Sequence, residues 1–153
     1  MNPPEERDDL WMHVALAEAR QAFEADEVPV GACIVKDGRV IGKGHNLTER
    51  LKDPTAHAEI IAIGAASNAL GSRYLTGCVL YVTLEPCLMC CGAVIQARIE
   101  RLVFGARDPK AGAVVSLYQV LSDTRLNHRL MFTEGAGMPE AGSLLTEFFR
   151  RKR

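Results

Sequence analysis

The sequence predicts a single-domain α/β protein, a three-layer α/β/α sandwich around a mixed central sheet of about five strands. Three observations lead there. Asp37-Gly38 lies between two strand-like stretches and favours a two-residue hairpin turn, so two strands pair antiparallel. Residues 78–84 (CVLYVTL) form a short apolar run with turn residues on both sides, the pattern of a buried strand. Beyond the hairpin, helical and strand-like stretches alternate, as they do in layered α/β folds.

Each element has its own signal. Residues 8–25 read as a first helix with Leu10, Trp11, Val14, Ala17 and Phe23 broadly on one side. Residues 30–36 and 39–44 are the hairpin strands. Asp53-Pro54-Thr55 breaks the chain, and Thr55 is the expected N-cap of a helix over 56–69. After strand 78–84, Pro86 opens a helix running to about 98. Residues 101–104 are a strand, 107–112 a loop, 117–121 a short helix and 130–133 a strand; a last helix starts near 139. No repeat, linker or low-complexity tract interrupts this order, so residues 1–153 are expected to form one domain.

The composition is that of an ordinary globular chain, with 48% hydrophobic and 24% charged residues, which argues against disorder. No apolar stretch approaches the ~20 residues of a membrane-spanning helix. The start of the chain is polar and acidic, unlike a secretion signal, so a cytoplasmic location is expected. Cys33, Cys78, Cys87, Cys90 and Cys91 are odd in number and three are clustered, which suits metal binding better than disulfides. Charge is uneven: residues 1–97 sum to −5 and residues 98–153 to +4, ending in Phe148-Phe149-Arg150-Arg151-Lys152-Arg153. Such a basic end beside aromatics suits a polyphosphate partner, and equally a solvated tail.

The chemistry lies in two clusters. His57-Ala58-Glu59 precedes Pro86-Cys87-Leu88-Met89-Cys90. One imidazole and two thiols are three ligands of the kind Zn²⁺ prefers, one fewer than closes a structural tetrahedral site. The open position is what a catalytic metal needs to acidify a water, and Glu59 is the natural group to move its proton. A Cys-x-x-Cys at a helix start puts both sulfurs on one side, where the helix N-terminus favours thiolates. Alone, His-Ala-Glu is usually a solvated helix start and Cys-x-x-Cys a redox pair or half a zinc knuckle. No second Cys-x-x-Cys is present to complete a knuckle. Cys91 competes with Cys90 as ligand, and the spacing favours Cys90.

The joint pattern H-x-E…P-C-x-x-C is the signature of the zinc nucleobase deaminases. The likeness extends to EVPVGA (27–32), GHN (44–46), DPTAHAE (53–59), LYVTLEPC (80–87), VFGARD (103–108), NHR (127–129) and LLTEFFR (144–150). Over roughly residues 10–153 the chain resembles the bacterial tRNA-specific adenosine deaminases. Pro109 and the extra Cys91 are modest departures. A lysine-rich extension that some relatives carry past the last helix is missing.

The resemblance implies a cytidine deaminase-like fold and conversion of the wobble adenosine of a tRNA anticodon stem-loop to inosine. It further implies one Zn²⁺ per subunit on His57, Cys87 and Cys90, with Glu59 as proton shuttle, and assembly as a homodimer. Backbone groups near Ala58 and Glu85 would orient the exocyclic amine and the attacking oxygen. Asn46 would meet the base edge or ribose, although from local sequence a turn role is equally good. Val28, Pro29 and Val30 would wall the pocket, where bare sequence reads them as core. Asp108 would lie beside a neighbouring ribose. Arg107, Lys110, Arg150 and Arg151 are candidates for phosphate, and Phe149 for stacking or packing. The metal motif alone does not separate this substrate from free cytidine, cytosine, guanine or deoxycytidylate. A non-catalytic zinc-stabilised RNA-binding module would be expected to lack Glu59, which is present here.

Overall fold

A computed structural model describes residues 6–135 and 139–152. Residues 1–5 of the polar start and Arg153 of the basic end lie outside the described residues. The expected three-layer sandwich is what forms, with a five-stranded sheet in the order β2-β1-β3-β4-β5. Its strands are β1 (Gly31–Lys36), β2 (Arg39–His45), β3 (Val79–Leu84), β4 (Arg101–Ala106) and β5 (Met131–Glu134). β1 pairs antiparallel with β2 and β3, whereas β3–β4 and β4–β5 are parallel. Asp37 and Gly38 both take positive φ, 50° and 73°, the conformation a tight hairpin turn requires.

Strand side chains alternate between two cores. Ala32, Ile34, Leu80, Val82, Leu102 and Phe104 face α3 (Ala58–Leu70) and α4 (Leu88–Gln96). Cys33, Val35, Tyr81 and Val103 face α1 (Asp8–Glu24), with Ala141 of α5 (Pro139–Arg151) in the same cluster. The buried stripe of α1 is Met12, Ala15, Leu16, Ala19 and Ala22, not the face expected from its larger residues; Leu10 is 48% exposed. The reason is close approach. A Cβ on Gly31 would strike the backbone of Ala15 and Ala19, so small residues sit on the contact and Trp11, Val14 and Phe23 fall to its flanks.

Four elements differ from expectation. α3 begins at Ala58, with extended His57 as N-cap, because Thr55 is engaged locally: its N–H and hydroxyl both donate to Asp53 Oδ1, at 2.8 and 2.7 Å. α4 begins at Leu88 with extended Cys87 as N-cap, and Pro86 uses its carbonyl to accept from Ala113 N at 2.8 Å. A four-residue helix, α2 (Thr48–Leu51), was not expected from the sequence, and the helix expected at 117–121 is a 3₁₀ turn at Val120–Ser122.

Two features fix how the layers meet. α3 lies directly on β2, where a Cβ on Gly44 would be 2.6 Å from Ala58 O and 2.8 Å from Ala62 N. On the opposite face, Arg101 makes a buried bidentate pair with Asp8, at 3.0 and 2.6 Å, and Tyr81 Oη also donates to Asp8 at 2.9 Å. This pair ties the start of α1 to the central strands.

Gly44→Ala is expected to lower stability by about 1–3 kcal/mol in urea unfolding, because the methyl group must push α3 off the sheet. Arg101→Leu is expected to cost about 3–5 kcal/mol by leaving the Asp8 carboxylate buried without its bidentate cation, and Asp8→Leu in the same chain recovers part of that loss. An Arg101→Leu protein as stable as the parent would show that the pair does not tie the layers.

Candidate active site

The layer of α3 and α4 creates the site. Both helices begin at the same end of the sheet, and each presents its N-cap residue there: His57 for α3 and Cys87 for α4. Cys90, one turn further, is fully buried. His57 Nδ1 lies 3.7 Å from Cys87 Sγ and 3.6 Å from Cys90 Sγ, and all three donor atoms fall within 4.8 Å of one another. Such a set can hold a metal ion with one position left for another ligand. Cys91 is excluded from the cluster, since its buried thiol points to Pro86 O at 3.8 Å. The choice between the adjacent cysteines therefore falls to Cys90.

The electrostatics suit a cation. The Cys90 thiol donating to Cys87 lowers the Cys87 pKa to about 4, with His57 assisting and burial opposing. Cys90 is correspondingly raised, by giving that hydrogen bond and by burial. His57 is raised, first by its contact with Cys87. The cluster thus holds one thiolate readily, and a bound divalent cation would make the second thiolate favourable as well.

A pocket of about 280 Å³ opens beside these groups, and Glu59 and Cys87 line it with His57. That is near the lower end for small-molecule sites and suits one nucleobase taken out of its stack. Val28, Val30 and Leu84 form apolar walls; Asn46, Thr48 and Asp108 supply polar groups. Glu59 is 3% exposed, and burial pushes its pKa up to about 7, with His57 acting in the other direction. A carboxylate so placed can both take and return a proton near neutral pH.

Of the residues expected at the site, Val28, Val30, Asn46, Ala58, Glu85 and Asp108 line the pocket. Pro29 does not. It is buried at the centre of a tight turn in which Val30 N donates to Val28 O at 2.8 Å, and only Val28 and Val30 reach the pocket. Asn46 Oδ1 accepts from Thr48 N at 3.4 Å, closing a turn, and the residue also lines the pocket. Asp108 Oδ1 accepts from Lys110 N and Ala111 N at 3.1 and 3.2 Å.

The basic residues divide. Arg107 is exposed, forms a bidentate pair with Glu134 at 2.7 and 2.6 Å, and does not line the pocket. Arg150 pairs with Glu147 at 3.1 Å and lines neither the pocket nor the hollow beside it. Arg151 stacks on Phe23, 5.0 Å from the ring centroid. Lys110 is exposed at the pocket loop and has no ion pair among the described residues. Phe149 is 49% exposed and lines the adjoining hollow with Thr48, Arg50 and Lys152.

Two buried carboxylates have anchoring roles that the sequence did not suggest. Glu27 is buried and accepts from Glu49 N and Arg50 N, at 3.0 and 2.7 Å, so it caps the unexpected α2. The Glu85 side chain accepts backbone N–H bonds from Asp108, Val114, Val115 and Ser116 and also the Ser116 hydroxyl. Burial alone would raise the Glu85 pKa, but these donors outweigh it and lower it. The available signal was an acidic residue at the end of an apolar strand, a place where a carboxylate persists only if backbone donors meet it.

Comparison with known proteins agrees with the geometry. Residues 6–153 match the family of MafB19-like deaminases. The tRNA-specific adenosine deaminase of Aquifex aeolicus (strain VF5) is 52% identical over 145 residues, covering 95% of this chain and 95% of that protein. The protein of the same description from Bacillus subtilis (strain 168) is 46% identical over 147 residues, covering 96% and 91%. A solved structure from studies of A-to-I editing by tRNA:A34 deaminases at the wobble position of transfer RNA aligns with a TM-score of 0.86. It is 49% identical, and the alignment covers 89% of this chain and 99% of that one. Fold, cluster and relatives agree: the chain belongs to the bacterial tRNA-specific adenosine deaminases, within the MafB19-like deaminase family.

Proposed function

We propose that this chain hydrolytically deaminates adenosine to inosine at the wobble position of a tRNA anticodon, with one zinc ion per subunit on His57, Cys87 and Cys90. One observation carries the reading: the imidazole and the two thiols converge beside a nucleobase-sized pocket that the buried Glu59 also lines. The donor set of one nitrogen and two sulfurs fits zinc with a position to spare. Zinc, when bound, polarises a water for attack at C6 of the adenine ring.

The protein's own groups do the rest. Glu59 takes one proton of the attacking water and passes it to N1 of the ring, then moves the second proton of that oxygen to the departing amine, which leaves as ammonia. Val28, Val30 and Leu84 shield the ring from solvent. Asn46 meets the base edge or ribose, and backbone groups at Ala58 and Glu85 orient the attacking oxygen and the amine. Asp108 faces the ribose of a neighbouring nucleotide. Lys110 is the phosphate contact best supported, being exposed and unpaired beside the pocket. Phe149 offers a stacking face in the adjoining hollow.

Residues 1–153 act as one domain in this reading, and the enzyme is a cytoplasmic homodimer. Exposed Leu88, Leu117 and Tyr118, at 49%, 51% and 45%, support a second copy covering the α4 side. No helix among the described residues is long and apolar enough to cross a membrane.

Zinc content and inosine formation in an anticodon stem-loop test the assignment together. Glu59→Ala is expected to keep zinc and to lose at least ~10²-fold in turnover, the scale of a lost general acid–base. Cys87→Ala is expected to lose both metal and turnover. Full activity in the Glu59 variant removes the proton shuttle, and undiminished zinc in the Cys87 variant removes the ligand set.

A further inference from the structure

The Glu85 side chain points away from the chemistry and into a loop. It is 2% exposed, although one end of the residue borders the pocket. Oε1 accepts from Asp108 N at 3.0 Å and from the Ser116 hydroxyl. Oε2 accepts from Val114 N, Val115 N and Ser116 N, at 3.0, 2.8 and 2.9 Å. A neutral loop that must gather four N–H groups and a hydroxyl around one point needs an acceptor with several lone pairs, and only a carboxylate has them.

The loop closes tightly over this anchor. Gly112 N donates to Asp108 O at 2.8 Å and Ala113 N to Pro86 O at 2.8 Å. A Cβ on Gly112 would collide with the Glu85 carboxyl group and would lie 2.6 Å from Asp108 O, so the loop lies where it does only because residue 112 is glycine. Between the two pinned ends stand Asp108 and Ala111, which form one wall of the pocket.

We infer that Glu85 is a positioning residue: by pinning Asp108 and residues 114–116 around its carboxylate, it pre-sets the pocket wall that receives the RNA, and so governs substrate capture rather than the chemical step. This rests on reading the pocket as the site of a wobble adenosine. Order supplied before binding is order the substrate does not have to impose, so loss of the anchor weakens binding. The groups that move protons lie outside the loop and keep their places.

The test is Glu85→Gln in the zinc-loaded enzyme, because glutamine keeps the shape but sets an amide NH₂ against N–H donors. Single-turnover inosine formation in an anticodon stem-loop is measured against protein concentration, after one zinc per chain is verified. Half-saturation is expected to rise about tenfold, equivalent to about 1.4 kcal/mol, with the maximal rate within about threefold of the parent, because the substitution alters only the side-chain carboxylate and leaves the backbone groups of residue 85 that orient the amine and the attacking oxygen. Gly112→Ala, which crowds the Glu85 carboxyl group and displaces the loop without substituting Glu85, is expected to show the same split, and it serves alone should the glutamine variant not fold. Unchanged half-saturation, or a tenfold fall in maximal rate at unchanged half-saturation, overturns the inference. Amide hydrogen exchange gives a readout independent of the substrate: faster exchange confined to residues 108–116 supports the anchor, and unaltered exchange there overturns it. Should the parent enzyme not convert the stem-loop, the wobble reading fails on its own and the exchange result still judges the anchor.

Discussion

Everything at the site depends on two helices starting side by side at one end of one sheet. α3 is held against β2 by contacts so close that Gly42 and Gly44 have no room for a side chain. α4 is the crossover between the parallel strands β3 and β4, so its N-terminus must follow the C-terminal end of β3. These two requirements bring His57 to the cysteines at 3.7 and 3.6 Å without any local feature that would do so. The helix starts also aim exposed N–H groups and partial positive charge at the sulfurs, which favours the thiolates that a metal needs.

The same end of the sheet holds two buried acidic side chains with opposite fates. Glu59 has burial as its dominant influence and is lifted to about 7, where a proton can come and go. Glu85 is surrounded by donors and stays a fixed anion. Environment alone separates a carboxyl group able to exchange its proton near neutral pH from one held as an anion, as in other sites where paired carboxyl groups differ. Glu27 repeats the anchoring physics on the opposite wall, where it caps α2 beside Thr48. The pocket therefore has a reactive floor and two walls, each tied down by a buried carboxylate.

Much of this was readable from the chain, and the exceptions share a cause. Asp37-Gly38 and the CVLYVTL run announced the sheet, because turn chemistry and apolar runs are local signals. The convergence of His57, Cys87 and Cys90, with Glu59 in the adjoining pocket, was legible because metal ligation restricts residue type and spacing together. Pro29, Arg107 and Arg150 do not line the pocket, because a tight backbone turn and the choice of ion-pair partner decide where they sit. Glu134, which takes up Arg107, is 27 residues away in the chain, and no local pattern announces that pairing. The buried stripe of α1 was misread for a related reason: the contact selects small residues for close approach, whereas hydropathy points to the large ones. α2 was too short for periodicity to register, and with it went Thr48 and the role of Glu27.

The central claim is that the pocket receives a single adenosine extruded from an anticodon loop. Its most direct test uses a stem-loop carrying adenosine both at the wobble position and in the paired stem, with free adenosine in a parallel reaction. Mass spectrometry of digests then locates each inosine. The account predicts conversion at the wobble position alone, with kcat/KM far above that for free adenosine. Equal conversion of the free nucleoside, or none of the RNA by zinc-loaded enzyme, would contradict it.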